Sequence, residues 1–200
     1  FNGTIKEAFK VFLLFPVLVP FTLGILAPYV YFRNRKFVVE NSSYGNVTFT
    51  FTASHKDYYG LFFKALIPLI IGLVIAAIAA TVFPPGAILV SMVLYLYLFA
   101  YISVKSTNLF FNSAMLDQHE FEADLETKGY LILIVTNTLA SVITLGIFYP
   151  WAHIRTIRYK LNHLILIANG DLDNFVAQKQ KEVSALGDEA GDFFDLDIGL

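Results

Sequence analysis

No cysteine occurs in this sequence of 200 residues. Disulfide staples, thiolate metal ligands and a thiol nucleophile are thereby excluded together. Charge is scarce as well, at 15% of residues, and it is missing altogether from Val11 to Phe32, from Ala65 to Val104 and from Gly129 to Ile154. A soluble domain carries more charge and spreads it more evenly. Against these gaps stand 56% hydrophobic residues, 16% aromatic residues and a mean hydropathy of +0.62, which point to an integral membrane protein. A basic excess is lacking too, with a formal net charge of −2, and no nucleic-acid partner is expected.

A helix rises about 1.5 Å per residue and the hydrocarbon core is about 30 Å thick, so roughly 20 residues make one crossing. Segments 11–32 and 129–152 each reach that length once. The third gap is twice as long and holds Pro84-Pro85-Gly86 at its middle, so it reads as a helical hairpin with legs 65–83 and 87–104. The expected fold is mainly α: a polytopic membrane protein with four transmembrane or re-entrant helices, an internal repeat and short interfacial β-strands. Residues 1–170 form the membrane domain and 171–200 an acidic C-terminal tail, able either to dock on a protein partner or to stay solvated. The first apolar run is too long for a signal-peptide core. A chain that begins with Phe1 reads as a piece or a processed form of a longer one.

The repeat is read by setting the chain against itself. Thr22-Leu-Gly-Ile25, Pro28, Arg33 and Lys36 recur at identical spacing as Thr144-Leu-Gly-Ile147, Pro150, Arg155 and Arg158. Each proline is followed by an aromatic residue, Tyr29 or Trp151. Val47, Phe49, Phe51 and Ala53 alternate with threonines, the period of a strand with one apolar face. If all four segments cross, the TLGI copies face opposite sides, as an inverted repeat. If the two copies are re-entrant, the basic residues all fall on one face.

The stretch Thr144-Leu-Gly-Ile-Phe-Tyr-Pro-Trp-Ala152 with Arg155, Arg158 and Tyr159 resembles the motif of the YjgN-like bacterial inner-membrane proteins. Asn41-Ser-Ser-Tyr-Gly45, Phe49-Thr-Phe51 and the acidic ending at Phe193–Leu200 are also similar to that family. The resemblance implies a multi-pass protein of the bacterial inner membrane and supplies no activity. The first copy departs from the motif, with Ala27-Pro-Tyr and Phe37 where fuller aromatic positions are expected.

On a helix, Trp151, Arg155 and Arg158 share one face, and Tyr29, Arg33 and Lys36 repeat the arrangement. Guanidinium forks match phosphate or carboxylate oxygens, so Arg33, Lys36, Trp151, Arg155 and Arg158 are candidates for an anion or lipid-headgroup site. The competing reading is anchorage, with aromatic and basic residues holding the interface. Asp117, His119, Glu120, Glu122, Asp124 and Glu126 crowd one loop without an established metal-ligand spacing. Neither a metal, a cofactor nor a catalytic set is expected. The Thr136-Asn-Thr138 cluster lines a polar path or, more in keeping with its setting, joins helices. The function expected is binding or passage of a small anionic or amphipathic molecule or lipid, with membrane lipids as partners. The alternative is an accessory or scaffold subunit of a membrane protease or envelope complex.

Overall fold

The computed structural model describes residues 1–45 and 47–170, so the acidic segment 171–200 and any docking by it lie outside the described residues. Its helices are α1 (Ile5–Phe9), a π-helical turn (Lys10–Leu14), α2 (Phe15–Phe21), α3 (Ala27–Glu40), α4 (His55–Val82), α5 (Pro84–Asn112), α6 (Thr127–Ile143) and α7 (Tyr149–Asn162). Five short strands accompany them: β1 (Ser43–Tyr44), β2 (Val47–Phe51), β3 (Ala114–Leu116), β4 (His119–Ala123) and β5 (Leu164–Ile167).

The hairpin expected at Ala65–Val104 is present and longer than its apolar core. Ser54 and Asp57 form a reciprocal capping box that starts α4, with the Ser54 amide 2.7 Å from the Asp57 carboxylate. Pro84 cannot continue that helix and is well placed to begin the next, so α4 stops at Val82 and α5 starts at once. Both helices are long and apolar enough to cross a membrane. They meet along small residues: Ala65, Gly72 and Ala76 are buried on α4. A Cβ on Gly72 would lie 2.5 Å from a methyl of Leu94. Gly72→Leu is therefore expected to cost about 1–3 kcal/mol through overpacking, measured by unfolding in detergent; an unchanged midpoint would show slack between the legs.

The two TLGI segments, left open above as spans or re-entrant elements, are not continuous helices. α2 and α6 each end at the threonine, and the chain reverses into α3 and α7. Pro16 and Pro20 remove backbone donors from the first copy, and the turn ahead of Pro16 widens to π geometry over Lys10–Leu14.

Strand order is β1-β2-β3-β4-β5, every pair antiparallel. The period-two segment pairs as expected, with Phe49 opposite Leu116 and Phe51 opposite Ala114. Because α3, α5 and α7 run into this sheet and α4 and α6 leave it, all three hairpins open toward one end of the molecule. The two TLGI copies consequently run in the same direction, and the inverted arrangement is ruled out by their return to a common sheet. Two asparagines one turn apart tie α5 to that end: Asn112 accepts from the Ala123 amide at 2.6 Å, and Asn108 from the Leu125 amide at 3.1 Å.

The core sits where helices meet sheet. Phe32, Val39, Phe51, Tyr58 and Ala114 form one cluster, and Ala100, Val104, Ala123, Leu125, Tyr130 and Leu133 another. Beyond it, Ile67, Ile71, Val74, Ile78, Leu89 and Val93 leave α4 and α5 clad in exposed apolar side chains.

Candidate functional site

The TLGI sequence builds the same turn twice. Thr22 and Thr144 are the C-caps of their helices, and the following leucines adopt left-handed backbone, φ +50° in both copies. The Gly24 amide bonds the Val19 carbonyl at 3.0 Å and the Gly146 amide the Ser141 carbonyl at 2.7 Å, while Leu23 and Leu145 bond one residue further on. This is the pairing of a Schellman cap, with leucine where glycine is the usual occupant. Glycine follows at φ +84° and +91°, a region other residues avoid.

The threonine hydroxyl joins the two helices of each hairpin. Thr22 Oγ1 donates to the Val19 carbonyl at 3.0 Å and accepts from the Leu26 amide at 3.2 Å. Thr144 Oγ1 donates to Ala140 at 2.7 Å and accepts from Phe148 at 3.0 Å. The amides of Leu23 to Leu26 and of Leu145 to Phe148 are thus satisfied without water. Its side chains are the reverse of a polar loop: Leu23 is 92% exposed and Leu145 94%, flanked by exposed Phe21, Ile25, Ile143 and Ile147.

Opposite these tips lies the charged end. Arg33, Lys36, Arg155 and Arg158 lie toward that end in two separate sets that no hydrogen bond among the described residues joins, while Trp151 sits on the first turn of α7, nearer the second tip. On α7, Arg155 is engaged: its guanidinium donates to Asn137 Oδ1 at 2.7 Å. Asn137, only 8% exposed, donates in turn to the Ala152 carbonyl at 3.1 Å and to Thr156 at 3.3 Å. The Thr136–Thr138 cluster therefore works as a helix clasp. Arg158 is exposed, and Trp151 is exposed and stacked on Phe148.

On α3, Arg33 and Lys36 line a cavity of about 330 Å³ with Glu7, Lys10, Val11, Phe15, Phe37, Glu40 and Asn41. Lys36 is paired with Glu40 at 3.5 Å. The Arg33 Nε is buried and has no hydrogen-bond partner among the described residues. The spacing of the repeat sets Phe15 where the second copy has Asn137, so the first arginine lacks the clasp of the second. Lys10 and Phe15 are site residues that the helical-stripe pattern did not include. The matched spacing, carried seven residues upstream of each TLGI threonine, is the signal that finds the Phe15 difference.

A third basic group on α3 is engaged as well. Arg35 donates to the Tyr31 hydroxyl at 3.1 Å and lies 5.0 Å from the Phe110 ring centre, and Tyr31 shares a hydrogen bond with Ser106 at 3.4 Å.

A lateral groove of about 730 Å³ between α5, α6 and α7 is walled by Phe99, Tyr130, Ile134 and Leu145 and carries a polar row of Asn137, Thr138, Ser141 and His153. The acidic loop residues are not gathered: Glu120 and Glu122 point outward from β4, and no group of three or more His, Asp or Glu among the described residues is placed to hold a metal.

Compared with known proteins, residues 1–193 match the model of a family described as bacterial protein of unknown function, DUF898. No curated protein and no solved structure matches.

Proposed function

The chain belongs to the DUF898 family, which is the YjgN-like family its sequence resembles, and we propose that it is a multi-pass inner-membrane protein that binds an anionic or amphipathic molecule. It acts by binding rather than by catalysis. The α4–α5 hairpin crosses the bilayer, its apolar legs of about 27 Å matching the hydrocarbon core between the flanking Lys64 and Lys105. The two TLGI hairpins dip into one leaflet and return, so they are re-entrant.

The observation that carries this reading is the pair of tip leucines. In water, an exposed leucine in left-handed backbone is disfavoured twice, by its apolar surface and by its φ. In hydrocarbon the side chain is favoured, and the Schellman and threonine bonds satisfy the amide donors of the turn internally, as a nonpolar setting demands. Every Lys and Arg among the described residues lies on the sheet side of these tips. The positive-inside rule then turns the sheet toward the cytoplasm. There the cationic end meets phosphate groups, while the lateral groove offers apolar walls to an acyl chain.

The cysteine-free sequence makes the test direct. Glu122→Cys and Arg158→Cys are expected to react with an impermeant maleimide from the cytoplasmic face, Pro85→Cys from the periplasmic face, and Leu145→Cys from neither. Labelling of Arg158→Cys from the periplasm, or of Leu145→Cys from water, would overturn the arrangement.

A further inference from the structure

The two copies of one element have diverged at the residue that decides what their arginines do. In the second hairpin Asn137 occupies the Arg155 guanidinium, and that arginine serves to hold α6 against α7. In the first hairpin Phe15 stands at the corresponding place and packs against Tyr29 with ring centres 6.0 Å apart, and its ring offers the Arg33 guanidinium no acceptor of the kind Asn137 supplies. A buried guanidinium N–H without a partner is costly, and such a group is retained where something else completes it.

Around Arg33 the cavity has two kinds of wall. Lys10, Arg33 and Lys36 supply positive charge, offset by Glu7 and by the Glu40 already paired with Lys36, while Val11, Phe15 and Phe37 make an apolar floor. Beside it, Phe12, Leu13, Leu14 and Val17 are exposed along the uncharged segment that leads to the TLGI tip. A free inorganic anion uses only the first kind of wall. A phosphate carried on an acyl glycerol uses both, its oxygens on Arg33 and Lys10 and its chains along the exposed face.

We propose that this cavity is a headgroup site for an anionic phospholipid with an accessible phosphate, created where Phe15 replaces the asparagine that ties up the matching arginine of the second hairpin. It rests on the membrane reading above, and its failure is separable from that reading, because maleimide labelling reports the topology without reference to lipid.

The test is native mass spectrometry of the full chain released from detergent with phosphatidic acid, phosphatidylcholine or inorganic phosphate added. One phosphatidic acid per chain is expected to be retained in preference to phosphatidylcholine. Arg33→Gln and Lys10→Gln should each weaken retention roughly tenfold or more, the loss of one charge-assisted contact. Phe15→Asn, which leaves every charge in place and offers Arg33 the amide found in the second hairpin, should weaken it comparably. Arg155→Gln should not change it. Equal retention by wild type and by both Arg33→Gln and Phe15→Asn overturns the site; equal binding of inorganic phosphate overturns the lipid assignment; loss on Arg155→Gln alone moves the site to the other hairpin.

Discussion

Asn137→Leu is expected to destabilise the protein by about 3 kcal/mol, since it removes two neutral hydrogen bonds and one to a guanidinium while keeping the branched side-chain skeleton. The side chain is 8% exposed and bonds Arg155, the Ala152 carbonyl and Thr156 from one point. Arg155→Gln is expected to cost much less, because the arginine is exposed and its charge is screened. Unfolding of both single variants and the double variant in one detergent closes a thermodynamic cycle. Additive losses would show that the asparagine and the arginine do not act together, and the helix-clasp role would fall.

That clasp shows how far the sequence leads. The helical stripe rightly put Trp151, Arg155 and Arg158 on one face, but a stripe describes one helix only. It says nothing of α6, whose Asn137 is what Arg155 meets. The α4–α5 hairpin was legible because Pro84 and Pro85 interrupt an apolar run at its middle, and β2 because its threonines alternate. The TLGI turns were legible only as one of two readings, for a physical reason. Their left-handed residue is leucine, which carries no turn signal, and their glycine falls one place later than the common cap position. Apolar length then left each segment readable either as a crossing or as a re-entrant element. Direction was hidden as well, since only the pairing of β4 with β5 and of β2 with β3 brings α3 and α7 home to the same sheet.

Replacing both tip leucines by aspartate is expected to produce the largest effect, because the sign of the change depends on what surrounds them. On a water-exposed tip, Leu23→Asp and Leu145→Asp should be neutral or stabilising, since aspartate tolerates left-handed backbone better and leaves no apolar surface in solvent. In a bilayer each aspartate costs roughly 2.5–3.5 kcal/mol at full depth and less toward the headgroups, so the pair should lose about 4 kcal/mol. Leu145→Gly separates the two contributions: it relieves the φ of +50° and deletes the side chain without adding charge. The sequence supplies its own reporter, because Trp151 is the sole tryptophan and sits on the first turn of α7, close behind the second TLGI tip. In nanodiscs made with acyl-brominated lipid, its fluorescence should be quenched in the wild type and recover in the double aspartate variant, with a lower unfolding midpoint. A raised midpoint with unchanged fluorescence would place the tips in water and leave only the α4–α5 hairpin in the membrane.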